Sequence, residues 1–321
     1  MVQFQWHYEG DHPVRIKDYL KHLGIPRKFV SHVKFEGGNI LLNGQEVNVL
    51  AKLEAGDVLT LVAADEGTHE TVPPSHVPIQ VIYEDRDLLI VNKPTDVVSI
   101  PSKRIPDSAM ANRVKGYYQR QGYADQVIHI VTRLDRQTTG LMLIAKHRLA
   151  HAMLDKQVQG GQVEKYYLAI STKTDWPAHG VIDRPIARTE DSIITRRVHE
   201  SGQRAVTEYW LKQGFADSSL LKLRLHTGRT HQIRVHMQDA GGVLVGDDLY
   251  GGPHLEAISR QALHCGELRL TQPFTGQRLV LSAPLPEDMA AWLAKRESNL
   301  EQKESSIADQ SSSFLIEKGW S

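Results

Sequence analysis

Asp135 is the side chain in this sequence best placed to do chemistry. It lies between two arginines in the run Val131-Thr132-Arg133-Leu134-Asp135-Arg136-Gln137-Thr138-Thr139-Gly140. Positive charge on both sides favours the ionised carboxylate. The run follows one apolar stretch, Val127 to Val131, and precedes another, Leu141 to Ala145, so it reads as a loop between buried strands. An anionic carboxylate held at a sheet edge suits a nucleophile or a general base. A turn closed by a purely structural Arg–Asp pair would have the same local sequence.

The wider pattern separates these readings. Arg133-Leu134-Asp135-Arg136, followed by Thr138-Thr139-Gly140, resembles the active-site motif of the RluA-type RNA pseudouridine synthases, with Thr132 where that motif opens on His. Four more stretches fall in the family's order: Leu89 to Pro94, Glu164 to Ala169, Thr227 to His236, and Leu263-His264-Cys265 leading to Ala283-Pro284-Leu285-Pro286. Ordered matches of this extent are hard to obtain by chance. The resemblance implies an isomerase that breaks the N1–C1′ bond of a uridine in RNA, turns the base and joins C5 to C1′. Atoms are conserved and no electrons leave, so no cofactor is implied.

By the same resemblance Asp135 is the essential carboxylate, either attacking base or sugar or acting as a base toward the sugar. Arg234 matches the arginine that the family pairs with it, and a planar guanidinium can grip a carboxylate with two parallel hydrogen bonds. The family pattern K-x-Y-x-A selects Tyr167 rather than Tyr166. On a strand these two point to opposite faces, so only one can stack on an extruded uracil. A tyrosine merely filling sheet space is the plain alternative. Arg133 is associated with RNA engagement, Arg229 is read as a backbone contact, and Lys93 and His231 as supports of the site. Asp96 stands where the family shows glycine, and Asp is expected to shape that loop differently.

These side chains need elements to carry them. Lys93 ends the apolar run from Leu88. From Thr230 as N-cap, the spacing predicts a helix burying Ile233, Met237 and Ala240, with His231, Arg234 and Gln238 on the neighbouring face. Near the N-terminus, Ile16, Leu20 and Leu23 mark one helix and Phe29 and Val33 a second, with Pro26 in its first turn. Asn43-Gly44 marks a hairpin. Arg15, Lys17, Lys21, Arg27, Lys28 and Lys34 face only Asp18 in this stretch. The order resembles an S4 RNA-binding domain, which implies RNA contacts by Arg27, Lys28 and Lys34. A small capping domain, or a basic helix face that is only solvated, would show the same pattern.

The expected organisation is an S4-like α/β domain over 1–63, a polar Pro-containing linker over 64–78, a catalytic domain over 79–295, and a polar, disordered tail over 296–321. The fold class expected from the family is α+β, with a mixed, largely antiparallel central sheet. The 321 residues carry 38 basic and 38 acidic side chains, so any RNA attraction must be local. The one cysteine, Cys265, excludes an intrachain disulfide framework and multi-cysteine metal sites. No apolar run approaches ~18 residues, and the first residues do not read as a secretion signal, so a cytoplasmic protein is expected. The implied partner is RNA, foremost large-subunit ribosomal RNA with transfer RNA still open, bound by a monomer without an obligatory protein partner. Two rivals stand beside this reading. One is an RNA-binding or assembly protein that has lost catalysis. The other is a metal hydrolase, disfavoured because His231 and His236 are five apart and fall on different faces of a helix.

Overall fold

Phe4, four residues into the chain, anchors the first hydrophobic core of the computed structural model, which describes residues 1–68, 72–190, 192–255 and 258–299. The strand Val2–His7 pairs antiparallel with Val58–Ala63, from Val2 opposite Ala63 to His7 opposite Val58. Val58–Ala63 also pairs with Asn39–Leu42, and a hairpin turn at Asn43-Gly44 leads to Gln45–Glu46. Both turn residues have positive φ, +50° and +84°, the conformation that Asn-Gly accepts at low cost. Helices Ile16–His22 and Arg27–Phe35 bury Ile16 and Leu20, and Phe29 and Val33, as their spacing predicts. Pro26 is the cap of the second helix rather than its first turn.

The chain divides into two compact units, and the first extends well past residue 63. It takes in residues 1–136, 141–163 and 268–281. Leu149, on the helix Arg148–Gln159, belongs to the same core as Phe4, and the ring of Phe274 stacks on Phe4 at 5.3 Å. In this unit the strands Gln80–Glu84 and Leu88–Lys93 pair antiparallel and adjoin Thr139–Ala145. The helix Met110–Gln121 packs Val114 and Tyr118 on Leu89, Val91, Met142 and Ile144.

The second unit comprises residues 137–140, 164–267 and 282 onward. Its strands run in the order His179–Asp183, Val206–Gly214, Ser219–Leu225, Glu164–Ser171 and then Leu263–Thr271. The first three ladders of that series are antiparallel, while Thr139 and Gly140 run parallel to His264 and Cys265. The fold is therefore the expected α+β type with a mixed, largely antiparallel sheet. A last helix covers 287–299. It includes the start of the segment expected to be a disordered tail, whose residues 300–321 lie outside the described ones. No helix among the described residues is long and apolar enough to cross a membrane.

The polar stretch 64–78 is tied down at several points within the first unit. Asn112 Nδ2 donates to the Pro73 carbonyl, and the Ser75 amide donates to the Asn112 carbonyl. A Cβ at Gly116 would lie 1.9 Å from the Ser75 carbonyl oxygen, so only glycine permits this approach. Glu66 is the deepest anchor. Its carboxylate accepts from the Arg148 amide at 2.7 Å and meets His129 Nε2 at 3.0 Å. Burial alone would push this carboxyl up; the His129 and Arg148 contacts outweigh it and hold the pKa at about 2. Because the folded-state value lies below the ordinary one, the contact stabilises the fold above the unfolded-state pKa and is lost as pH falls toward 2. Glu66→Gln should therefore lower stability near neutral pH by about 2–3 kcal/mol and flatten its fall between pH 4.5 and 2. Chemical denaturation across that range measures both effects.

Candidate active site

Three backbone carbonyls converge on one buried ammonium beside the Asp135 loop. Lys93 is fully buried, and its Nζ donates to Pro94 at 2.9 Å, Val97 at 2.8 Å and Arg136 at 2.9 Å. An ammonium carries three protons and no acceptor, so it can serve three such carbonyls at once. On the other side of Asp135, Ser99 Oγ donates to the Leu134 carbonyl at 2.8 Å and accepts from the Leu134 amide at 3.0 Å. The chain is thus pinned from one segment, residues 93–99, at Leu134 just before Asp135 and at the Arg136 carbonyl just after it. Leu134 and Thr132 point inward, Arg133 and Arg136 are exposed, and Asp135 is half-buried. Thr132 takes over a structural task where the family motif has His: its Oγ accepts from the Leu143 amide at 2.9 Å.

Asp96 corrects an expectation from the sequence. It occupies the left-handed region itself, with φ of +59°, which Asp tolerates better than most residues. The loop needs no glycine there. Its carboxylate lies 3.7 Å from Arg136 Nε, an exposed pair that adds little stability. Gly140, by contrast, is required. Its φ is +110°, and a Cβ would lie 2.2 Å from the Cys265 carbonyl oxygen.

The second unit carries Tyr167, Arg229, His231 and Arg234. The helix here is Gln232–Asp239, shorter at its start than Thr230 as N-cap predicts. His231 is the cap residue, in a left-handed conformation with φ of +58°, and so does not share a helical face with Arg234. The turn is held instead by the buried amide of Gln232. Its Oε1 accepts from Thr227 Oγ1 and the Arg229 amide, and its Nε2 donates to the Val206 carbonyl and Thr207 Oγ1. With those bonds made, Thr230 is not needed as a cap. His236 binds Thr207 Oγ1 and the Arg184 carbonyl, which ties the helix to the strand Val206–Gly214. Arg229 is exposed, with Nε on the Arg204 carbonyl.

Arg234 is the most constrained side chain of this unit. Its Nε and Nη2 donate to the two carboxylate oxygens of Asp247 at 2.7 and 2.6 Å, a bidentate pair in which both groups are buried. The Tyr250 ring lies under the guanidinium, 4.9 Å from its carbon, and Tyr250 Oη meets His231 Nδ1 at 2.9 Å. Sequence reasoning overlooks Asp247 and Tyr250. The available signal is Gly246-Asp247-Asp248-Leu249-Tyr250-Gly251, a glycine-bounded turn rich in acid. A Cβ at Gly246 would lie 2.1 Å from the Arg260 carbonyl oxygen, so that turn is fixed by close backbone approach.

On the strand Glu164–Ser171 the two tyrosines occupy opposite faces. Tyr167 is buried opposite Leu223. Tyr166 lies under Lys222 and Arg224, with its hydroxyl donating to Glu164. In the first unit, Arg27, Lys28 and Lys34 are exposed on the helix Arg27–Phe35. Arg27 and Lys34 line a groove of about 670 Å³ with Lys17 and Lys21, and beside it the largely exposed ring of Phe35 sits 4.9 Å from Lys34 Nζ.

Comparison with known proteins places these features in context. Residues 87–239 match the family model described as RNA pseudouridylate synthase. A Bacillus subtilis (strain 168) protein named "Uncharacterized RNA pseudouridine synthase YjbO" is 42% identical over 275 residues, covering 86% of this chain and 96% of the relative. The "Ribosomal large subunit pseudouridine synthase D" of Escherichia coli (strain K12) is 33% identical over 281 residues, covering 84% of this chain and 86% of the relative. Among solved structures, "Human RNA Pseudouridylate Synthase Domain Containing 1" superposes with a TM-score of 0.53 at 25% identity, over 66% of this chain and 85% of that one.

The Lys93 geometry yields a direct test. Lys93→Met keeps the length of the side chain but leaves three inward carbonyls without their donor. It should cost about 2–4 kcal/mol of stability and speed amide exchange at residues 134–136. Urea denaturation and hydrogen–deuterium exchange would register the two effects.

Proposed function

The chain belongs to the RluA-type RNA pseudouridine synthase family, isomerases acting on RNA, and on that premise we propose that Asp135 is its essential carboxylate and large-subunit ribosomal RNA its substrate. The observation that carries the assignment of Asp135 is its backbone setting. Its backbone is held at Leu134 by Ser99 and at the Arg136 carbonyl by Lys93, which limits how far the carboxylate can drift with its loop. Such pre-organisation is what a reacting group needs. The exposed Arg133 and Arg136 on either side supply positive charge for an RNA strand.

In this reading a uridine is extruded from its stack. The N1–C1′ bond breaks and its electron pair goes to the uracil ring. Asp135 serves the sugar or the base, as nucleophile or as base. The ring turns, C5 joins C1′, and the proton lost from C5 is balanced by one gained at N1. Tyr167 offers an aromatic face of the kind on which an extruded base stacks. Arg234 supplies a charge that cannot be lost by deprotonation, and its bidentate hold on Asp247 supports this role by fixing the orientation of its plane. His231 steadies the same group through Tyr250. Arg229 is assigned to the RNA backbone.

The substrate class rests on relatives named as synthases of the large ribosomal subunit. Arg27, Lys28 and Lys34, on an S4-like domain spanning 1–63, add phosphate contacts outside the catalytic domain, and the protein acts as a cytoplasmic monomer. The decisive experiment maps pseudouridines across ribosomal and transfer RNA in cells lacking this gene, complemented with wild type or Asp135→Asn. Sites in large-subunit RNA should return with wild type only. Purified Asp135→Asn should bind the RNA as wild type does while turnover falls by about 10³-fold or more; turnover near the wild-type rate would remove Asp135 from its role. A second variant, Arg27→Ala with Lys28→Ala, should weaken RNA binding and reduce its salt slope by about 1.5. Unchanged affinity would take this helix out of the interface.

A further inference from the structure

Arg113 forms no ion pair with any carboxylate among the described residues. It lies on the helix Met110–Gln121, and its buried Nε has no hydrogen-bond partner among the described residues. Burial is the cause that draws its pKa down, yet a guanidinium stays protonated at any physiological pH. The side chain is half-buried, so its charge keeps contact with solvent while the Nε proton is turned inward, away from water, toward a space an acceptor could fill.

The side chain lines a half-open cavity of about 330 Å³, together with Ile79, Gln80, Asn92, Pro94 and Met110. None of these is acidic. Asn92 Nδ2 already donates to Gln80 Oε1 at 2.9 Å, which commits the Gln80 carbonyl and leaves its amide protons for another acceptor. The cavity thus offers a fixed positive charge and an amide donor on one side, with proline, isoleucine and methionine surface on the other. A group with several anionic oxygens attached to a compact, partly apolar body fits that lining. A volume near 300 Å³ is the lower end for small-molecule sites. The neighbouring residues, Asn92 and Pro94, flank Lys93, so an occupant would sit directly behind the segment that clamps the Asp135 loop.

We propose that this cavity, with Arg113 as its anchor, is a phosphate-binding subsite that takes one phosphorylated nucleotide unit. The phosphate belongs either to the RNA backbone, which rests on the function proposed above, or to a free nucleotide or phosphate ion, which does not.

The test uses the full chain as wild type, Arg113→Met, Arg113→Lys and Asn92→Asp. Thermal unfolding is followed while inorganic phosphate replaces chloride at constant ionic strength, and binding of large-subunit ribosomal RNA is measured against salt. Phosphate should raise the Tm of wild type, less that of Arg113→Lys, and not that of Arg113→Met. Asn92→Asp should abolish the phosphate effect by supplying the missing negative charge, and should itself melt higher than wild type. A roughly tenfold loss of RNA affinity in Arg113→Met, with a salt slope shallower by about one, assigns the phosphate to RNA. A phosphate effect with RNA affinity unchanged assigns it to a free ligand. Absence of both effects overturns the subsite, as does a phosphate effect that persists in Arg113→Met. Pseudouridine formation by wild type is scored in parallel, so a failure of the proposed activity is distinguished from a failure of this site.

Discussion

One buried ammonium organises the Asp135 loop. Taking Lys93 out of water is unfavourable, and the three carbonyls it reaches help to offset that cost. The compensation works in one geometry alone, because the Arg136 carbonyl is far in sequence from those of Pro94 and Val97. The same requirement fixes the turn at Asp96 in its left-handed conformation and brings Ser99 onto Leu134. A hydrophobic residue at position 93 would be easier to bury, but it would exert no pull on the 134–136 backbone.

The second unit uses the same device with the charges reversed in role. Asp247 is fully buried and is compensated by the fork of Arg234, which in turn is bounded by the ring of Tyr250. In both places a costly buried charge defines an orientation, and hydrogen bonds to it are the strong, directional kind. Within the second unit, glycines allow backbone to approach backbone, Gly140 against Cys265 and Gly246 against Arg260. Charge sets direction and glycine sets distance.

What is legible in the sequence follows from this. Short-range regularities are readable: the buried faces of the two N-terminal helices, the Asn43-Gly44 turn, and the opposed faces of Tyr166 and Tyr167 each depend on residues a few positions apart. The family motifs locate Asp135, Lys93 and Arg234. Their partners are another matter. Nothing near Arg234 announces that Asp247 is a carboxylate partner of it, because the pair forms only when a glycine-bounded turn folds back toward the helix. The helix start is misread because Thr230 has the right chemistry for a cap, while Gln232 satisfies the Arg229 amide through the side chain of the helix itself. The stretch 64–78 reads as a plain linker because its composition is polar, and composition does not reveal that Glu66 finds His129 and Arg148. The strand Val2–His7 escapes notice for a related reason, since its partner lies at the far end of the small N-terminal sheet sequence.

The stacking of Phe4 on Phe274 has a consequence for how the chain is made. A ribosome releases Phe4 long before the ring that covers it, and Leu149 of the same core emerges midway between them. Most of that core comes from residues 4–63, but the faces of Phe4 that meet Leu149 and Phe274 stay open until those residues leave the ribosome. Contacts of such long sequence separation slow folding and lengthen the interval in which a nascent chain can associate wrongly. The sheet and helices of residues 2–63 are thus made well before the last ring that packs on their core.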